Sequence, residues 1–287
     1  MKVLVVISHF YKPDINGLYS STNAAMRESR KQTFEETLLC WRAHYDTNSI
    51  IDIEKKKLVI NRSSVDQLDI VILVNEENHF VDDALIKKYK LKIVQVTTDN
   101  PKMLPFAAQK VMADLSRAYD WFVYSEDDLA VHDSLIFHKL TSFQNTFGSA
   151  RLLQPNRFEI NKAALSVKTY IDGNLRSGFI QPFLDKVPET SLNLTFNYAD
   201  GLEVNFVRAR NPHSGFYAIS ALQLKHWMAQ KHFMDLDCSF VTPLESGATL
   251  GILKTFSIFK AAESNLGYFE IQHLDNKFSN IKLETQE

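Results

Sequence analysis

The stretch WFVYSEDDLAVH, residues 121–132, joins an apolar run directly to three consecutive acids. Trp121–Tyr124 has the composition of a buried strand, because aromatic and β-branched side chains pack well on a pleated surface. Glu126, Asp127 and Asp128 follow, and the chain then turns apolar again. Neighbouring carboxylates at the end of a buried strand lose hydration and repel one another. The stretch therefore predicts a strand that ends at a bound cation or at a ligand that donates hydrogen bonds.

Further strand and helix patterns alternate along the first half of the chain. Val3–Ile7, Ile70–Val74 and Leu91–Val96 are continuous apolar runs, typical of strands buried on both faces. The helical patterns between and after them are an apolar stripe at Phe34, Leu38, Trp41 and Tyr45, a short segment at Asp82–Tyr89, a helix opening near Pro105, and a helix marked by Ile136, Leu140, Phe143 and Phe147. The alternation predicts an α/β fold with a mainly parallel sheet flanked by helices. Ligands of such sheets bind beyond the carboxyl ends of the strands.

The second half has a different pattern. Residues 150–220 hold short β-like runs broken by Pro, Gly and Asn, which predicts a mixed or antiparallel sheet. Two helices are expected after it, at about 221–231 and 243–260. We find no repeat or linker, so we expect a single domain over 1–287, with halves at 1–130 and 131–275 and a polar tail at 276–287.

Composition excludes some classes of function. The 287 residues are 45% hydrophobic and 23% charged, and the net charge of −2 gives no electrostatic argument for nucleic-acid binding. The apolar run near the N-terminus is too short for a signal peptide, and no run approaches the roughly 18 residues of a membrane span. Cys40 and Cys238 are far apart, and we expect both to be reduced and buried. These features predict a cytoplasmic protein, for which peripheral membrane association stays open.

The acids are the strongest functional signal in the sequence. No Gly-x-Gly-x-x-Gly follows the first strand and no Walker-type loop occurs, which argues against a dinucleotide-dependent dehydrogenase or a P-loop enzyme. Carboxylate oxygens are suited to Mg²⁺ or Mn²⁺, ions that commonly bridge one or two carboxylates and the phosphates of a substrate. The alternative is a surface turn of solvated acids in which Asp133 caps the next helix.

A strand that ends in Glu-Asp-Asp after an α/β half resembles the acidic Asp-X-Asp motif of GT-A-fold glycosyltransferases, some families of which carry it as Glu-Asp-Asp. Three later segments resemble other GT-A elements in the same order. Residues 211–220 (NPHSGFYAIS) resemble the Gly-containing strand that lines the acceptor site. Residues 242–251 (TPLESGATLG) resemble the helix start that carries an acid, and Ile271-Gln-His273 resembles a His that completes the metal site.

The resemblance implies a GT-A-like fold, with a Rossmann-like sheet in a nucleotide-sugar-binding half at 1–130 and an acceptor-binding half at 131–275. It implies a metal-dependent glycosyltransferase that moves a sugar from a nucleotide-diphosphate sugar to a hydroxyl of a glycan, lipid or small-molecule acceptor. Asp128 and His273 would hold Mn²⁺ or Mg²⁺, and Glu126 and Asp127 would meet hydroxyls of the donor.

Other residues are assigned by the same resemblance. Those expected at the donor are Ser8, His9, Phe10 and Tyr11 at the nucleobase end; those expected at the acceptor are His213, Ser214 and Gly215. Arg27 is expected near the diphosphate for a separate, electrostatic reason. Arg27, Arg30 and Lys31 open the first helix, where cations oppose the helix dipole. A bound diphosphate would compensate them, and a solvated basic face is the alternative.

Glu245 has two interpretations from sequence. It is the candidate general base that takes a proton from the acceptor hydroxyl. Thr242-Pro-Leu-Glu245 also fits a capping box, in which the Glu would bond back to its own N-cap. Asp235 and Asp237 are the reserve candidates for the base. The compact polar stretch Gln154–Glu159 has no role that the sequence assigns.

Two other functions stay open. A sugar-phosphate nucleotidyltransferase also uses an α/β sheet and acidic metal ligands, but it needs a Gly-rich, basic loop after the first strand, where this chain has Lys12 and Gly17. The other is a non-catalytic carbohydrate-binding or interaction protein on a degenerate transferase scaffold.

Overall fold

The computed structural model of this protein describes residues 1–13, 21–61, 63–161, 166–275 and 277–278. The strands are β1 (Lys2–Ser8), β2 (Asn48–Asp52), β3 (Lys57–Asn61), β4 (Gln67–Val74), β5 (Leu91–Gln95), β6 (Trp121–Glu126), β7 (Leu129–Ala130), β8 (Arg151–Leu153), β9 (Asn156–Ile160), β10 (Lys168–Tyr170), β11 (Asn193–Asn197), β12 (Glu203–Arg208), β13 (Phe216–Ser220), β14 (Ser257–Ala261) and β15 (Glu270–His273). The helices are α1 (Arg27–Tyr45), α2 (Asp83–Tyr89), α3 (Leu104–Asp114), α4 (Ile136–Phe147), α5 (Ser177–Leu184), α6 (Ala221–Met228) and α7 (Pro243–Leu253).

The apolar runs predicted as buried strands form β1, β4, β5 and β6 of one central sheet, in the order β13-β6-β1-β4-β5. The fifth strand, β13, comes from the second half of the chain, where a separate mixed or antiparallel sheet was expected. β1 is parallel to both β4 and β6, and β4 is parallel to β5. β13 is antiparallel to β6. The predicted α/β class, with a mainly parallel sheet flanked by helices, is confirmed.

Helices cover both faces of this sheet, which explains why Val3–Ile7 is apolar without alternation. Val3, Val5 and Ile7 share a core with the apolar stripe of α1 and with parts of α2 and α4. Leu4 and Val6 share the second core with α3, α6 and α7. Successive side chains of a strand point to opposite faces, so each face of β1 needs its own apolar layer.

The second half forms two smaller sheets, in the orders β10-β9-β15-β7 and β11-β12-β14-β8. β7 begins directly after the acids and pairs antiparallel with β15, so that His273 stands opposite Leu129. β15 is also parallel to β9. This sheet therefore brings the C-terminal His273 and the stretch Gln154–Glu159 to the carboxyl end of β6.

Several local predictions were wrong. The helix expected at 243–260 ends at Leu253, because the buried run Ser257–Ala261 pairs as β14 with β8 and β12. The helix expected at 221–231 ends at Met228. Cys40 is buried as expected, but Cys238 is exposed.

Some segments were not anticipated or are not described. α5 and the hairpin of β2 and β3 were not predicted, and the hairpin exposes large aliphatic side chains, including Ile51 and Ile60. Gly17 and most of the expected polar tail, residues 276–287, lie outside the described residues. Within the described ranges, no helix is both long enough and apolar enough to span a membrane.

Candidate functional site

Glu126 ends β6 and lies against Gly215, at the start of β13. The Glu126 amide donates to the Gly215 carbonyl at 2.8 Å. Gly215 has a φ of +57°, and a Cβ atom built on it would stand 2.2 Å from Oε2 of Glu126. The other carboxylate oxygen, Oε1, is buried without a hydrogen-bond partner. Burial, with the nearby charge of Asp128, raises the pKa of Glu126 to about 7.

Asp127 is fixed between two basic side chains. Its Oδ2 lies 2.5 Å from Nδ1 of His9, and its Oδ1 accepts from Nη2 of Arg30 at 2.7 Å. Burial alone would raise the pKa of Asp127, but Arg30 and His9 lower it to about 2. The Phe80 amide donates to Nε2 of His9 at 3.1 Å, so the hydrogen of the neutral ring is on Nδ1 and points at Asp127. Both oxygens of Asp127 and both nitrogens of His9 are therefore already used.

Asp128 keeps one oxygen free of protein partners. Its Oδ2 accepts from Nη1 of Arg30 at 3.2 Å, whereas its Oδ1 is buried with no partner. Arg30 itself is only 4% exposed. The alternative of a solvated basic face on α1 is wrong for Arg30, because its guanidinium is the internal counter-ion of two acids. Arg27 does face solvent, with its guanidinium 5.6 Å from the ring centre of Phe80.

His273 lies between two acids. Its Nδ1 is 2.7 Å from Oε1 of Glu159, and its Nε2 is 3.7 Å from Oδ2 of Asp128. Burial alone would lower the pKa of His273, but Asp128 and the hydrogen bond to Glu159 raise it above its ordinary value. Glu159 thus holds the ring at Nδ1, while Nε2 faces Asp128.

The chemistry of these donors fits a divalent metal that shares its coordination with a substrate. Within the part of the chain that the structure describes, no three His, Cys, Asp or Glu side chains converge to enclose a metal ion by themselves. Asp128 offers an unpartnered carboxylate oxygen, and His273 offers Nε2. Mg²⁺ and related ions are commonly bound by one or two protein ligands together with phosphate oxygens. An ion bound by these two residues would complete its coordination with water or with phosphate oxygens of a substrate.

The residues predicted at the acceptor lie beside the same acids. Nδ1 of His213 is 2.9 Å from Oγ1 of Thr249, and burial lowers the pKa of His213 well below its ordinary value. Ser214 is buried and donates to the Pro155 carbonyl at 3.0 Å, so its hydroxyl is occupied. Gly215 makes room for Glu126. Of these three residues, only His213, whose imidazole is neutral, is in part accessible.

A buried ion cluster behind the acids was missed by sequence reasoning. Asp172 accepts from Nε of Arg157 at 2.9 Å and from Nζ of Lys260 at 2.7 Å. The charge of Arg157 lowers the pKa of Glu126 and so opposes the effect of burial. A signal existed in the stretch Gln154–Glu159: Arg157 and Glu159 are two positions apart, the spacing that puts both on one face of a strand.

The two candidate bases lie at opposite ends of α7. Thr242 donates a hydrogen bond from its hydroxyl to the Glu245 carboxylate, and its side chain does not cap the helix backbone. The full capping box is thus absent, and the Glu245 charge is close enough to raise the pKa of Glu126. Asp237, like Asp235, pairs with Lys254 at 2.6 Å. At 1.5 Å per residue, Glu245 and Lys254 are about 13 Å apart along the helix, so the structure places Asp237 away from the acids.

The segment Ser8–Tyr11 begins at the last residue of β1, at the edge of the sheet where the acids lie, and Ser8 pairs in register with Glu126. The Ser8 hydroxyl is 2.8 Å from the Tyr124 hydroxyl. His9 stacks on Phe34 with ring centres 4.1 Å apart, and Tyr11 stacks on Phe80 at 4.2 Å. Phe10 is the one side chain of the four that is not buried.

Comparisons with known proteins give distant structural likenesses. No family model and no curated protein matches the chain. Among solved structures, TarS of S. aureus is 11% identical with a TM-score of 0.46, over 97% of this chain and 38% of TarS. Residues 1–349 of TarS in complex with UDP are 11% identical with a TM-score of 0.47, over 95% of this chain and 60% of that structure. GalNAc-T7 with UDP, GalNAc and Mn²⁺ is 11% identical with a TM-score of 0.48, over 95% of this chain and 43% of that structure. The chain spans less than two thirds of each structure, and likeness this distant assigns no activity to it.

Proposed function

We propose that this chain is a metal-dependent glycosyltransferase of the GT-A type, which transfers a sugar from a nucleotide-diphosphate sugar to an acceptor hydroxyl. One observation carries the proposal: Oε1 of Glu126 and Oδ1 of Asp128 are both buried without partners at the carboxyl end of β6, beside His273. Buried acceptors without partners are costly, so such groups call for a ligand or an ion. A metal-bound nucleotide sugar supplies an ion for one of these oxygens and a hydroxyl donor for the other.

The donor-side roles follow from which atoms are still available. Asp128 and His273 would hold Mn²⁺ or Mg²⁺, and the bound metal would neutralise the diphosphate as it leaves. Glu126 would accept a hydrogen bond from a donor hydroxyl through Oε1. Both oxygens of Asp127 already accept hydrogen bonds from Arg30 and His9, so its role is to hold these two side chains in place.

Two side chains would contact the ends of the donor. Phe10 offers a partly exposed ring for the nucleobase, in agreement with the expected place of Ser8–Tyr11. Arg27 is exposed at the start of α1 and would approach the diphosphate.

On the acceptor side, Glu245 would take the proton of the attacking hydroxyl. The acceptor oxygen forms a bond to the anomeric carbon while the bond from that carbon to the diphosphate breaks, and the proton moves to the Glu245 carboxylate. Attack opposite to the leaving group inverts the anomeric configuration. Glu245 would first exchange its hydrogen bond from Thr242 for one from the acceptor. His213, whose ring is neutral, lies next to this path.

The test measures ligand-dependent melting and nucleoside diphosphate release. The purified chain is given UDP, GDP, CDP and the corresponding sugar nucleotides, each with Mn²⁺ or Mg²⁺. We expect at least one diphosphate with metal to raise the melting temperature, and its sugar nucleotide to be consumed. Asp128→Asn should abolish both effects, whereas Asp114→Asn, on an exposed i,i+4 pair with Lys110, should retain both.

Two results would overturn the proposal. Indifference to every nucleoside diphosphate would favour the non-catalytic carbohydrate-binding alternative. Pyrophosphate release from a nucleoside triphosphate and a sugar phosphate would favour the nucleotidyltransferase.

A further inference from the structure

Glu159 is a buried carboxylate that contacts the imidazole of His273. It lies in β9 with none of its surface exposed. Its Oε1 is 2.7 Å from Nδ1 of His273 and also accepts from the Phe278 amide at 3.2 Å. A carboxylate so far from water persists only where strong hydrogen bonds stabilise it. The site described above gives Glu159 no contact with a ligand.

The hydrogen bond to Glu159 decides which nitrogen of His273 has a lone pair. An ionised carboxylate can only accept, so Nδ1 carries the hydrogen and the lone pair of the neutral ring is on Nε2. This lone pair faces Asp128, whose Oδ2 is 3.7 Å away, beyond hydrogen-bond distance. Two acceptors that face each other across such a gap are stabilised by a cation between them.

The sheet itself builds this arrangement. β15 lies between β9 and β7 in the order β10-β9-β15-β7. On one side, the parallel register pairs Gln272 with Phe158, which brings the next residues, His273 and Glu159, together. On the other side, His273 is opposite Leu129, the residue after Asp128. The imidazole and Glu159 are therefore held by neighbouring strands, and Asp128 lies in the two-residue turn between β6 and β7.

We propose that Glu159 is a positioning residue for the metal site: it fixes the tautomer and orientation of His273 so that Nε2 is available as a ligand. The inference rests on the metal site of the proposed function. Histidines that bind metals usually donate their other ring hydrogen to a carboxylate or carbonyl, and loss of that partner lowers metal affinity roughly 10- to 100-fold. Glu159 does not contact the substrate or the metal.

The experiment titrates the full chain with Mn²⁺ alone and follows the free ion by electron paramagnetic resonance. We expect Glu159→Gln to weaken Mn²⁺ binding roughly 10- to 100-fold, because a neutral amide is a poorer acceptor and leaves the ring less basic. Glu189→Gln is the control: Glu189 is a partly buried acid paired with Arg151 at 2.7 Å, away from the acids of β6. This control should lose stability but keep the Mn²⁺ affinity of the wild type.

A second measurement separates positioning from stability. Nitrogen-15 spectra of metal-free protein, at a pH where the ring is neutral, should show the His273 hydrogen on Nδ1 in the wild type. In Glu159→Gln the tautomer preference should be reduced. If the variant does not fold, the wild-type spectrum still decides, since a ring with its hydrogen on Nε2 would overturn the inference.

The failures are distinguishable. If Asp128→Asn abolishes Mn²⁺ binding while Glu159→Gln binds within threefold of the wild type, the metal site stands and the role of Glu159 is refuted. If the wild type binds Mn²⁺ no better than Asp128→Asn, the metal site fails and the role of Glu159 fails with it.

Discussion

Gly215 lies so close to Glu126 that a Cβ atom on Gly215 would stand 2.2 Å from Oε2 of the carboxylate. Its φ of +57° also belongs to the left-handed region that favours glycine. Two independent constraints therefore act on one position. Gly215 belongs to the segment 211–220, which was expected at the acceptor, yet it lies against Glu126, which was expected at the donor.

Gly215→Ala should lower both stability and donor binding. The left-handed backbone costs about 1–3 kcal/mol for a residue other than glycine, and the new methyl group must displace the Glu126 carboxylate. Chemical denaturation and nucleotide-dependent melting would measure the two effects. Gly178→Ala is the control, because nothing lies within 4 Å of its added Cβ. A Gly215→Ala protein with wild-type stability and donor binding would refute the packing described here.

Glu245→Gln should abolish turnover while nucleoside diphosphate binding persists. The amide keeps the shape of the side chain but cannot take a proton. Thr242→Val should retain turnover and cost less than the roughly 1 kcal/mol of a lost N-cap, because the Thr242 hydroxyl does not cap the helix backbone. Steady-state rates and melting temperatures would check both variants.

Asp237→Asn is the comparison for Glu245, since Asp237 pairs with Lys254 at the far end of α7. It should retain wild-type turnover. Activity lost in Asp237→Asn and retained in Glu245→Gln would reverse the assignment of the base.

Arg30→Met should destabilise the protein by about 3–5 kcal/mol, the usual cost when one partner of a buried ion pair is removed. Asp127 and Asp128 would both lose their buried counter-ion. Urea unfolding would measure the change. Arg27→Met, on an exposed side chain of the same helix, should change stability by no more than about 0.5 kcal/mol. Equal effects of the two variants would contradict the internal role of Arg30.

Asp172 should give the protein an acid-sensitive contribution to stability. Burial alone would raise the pKa of Asp172, but Lys260 and Arg157 lower it from 3.8 to about 2. Because the folded pKa lies below the unfolded one, the contribution is complete above pH 3.8 and is lost as the pH falls towards 2.

Asp172→Asn tests this linkage. The variant should be several kcal/mol less stable than the wild type at pH 7, since Arg157 and Lys260 lose their common partner. The difference should shrink as the pH falls below 3.8. Unfolding measured across this range would check it, and a difference independent of pH would count against the ion cluster.

The central sheet could be predicted because its strands are continuous apolar runs. Because the carboxyl ends of parallel strands meet at one edge of a sheet, Ser8 and Glu126 were expected at the same edge, and β1 and β6 do pair there in register. The error at β14 has a physical cause: Ser257–Ala261 is short and mixes polar and apolar residues without a clear period, and pairing with β8 and β12 makes it a strand. Local pattern alone does not distinguish such a run from a buried helix.

The basic side chains that pair with the buried acids could not be predicted from local sequence. Arg30 meets Asp127 and Asp128 only because α1 packs across the end of β6. Asp172 joins Arg157 to Lys260 from another part of the chain. The direction of each side chain also matters: His9 was expected at the nucleobase, but its ring turns inward to Phe34 and Asp127.

The reversed direction of β13 has a consequence for how the chain could diversify. Because β13 runs antiparallel to β6, its first residues lie at the edge where β6 ends. The loop that enters β13 therefore forms one wall of the site, and the loop that leaves β6 forms the other. Insertions before His213 could remodel the first wall without shifting the register of any strand in the central sheet. A lineage of such proteins could thus change one wall of the site while the acids at the end of β6 stay in place.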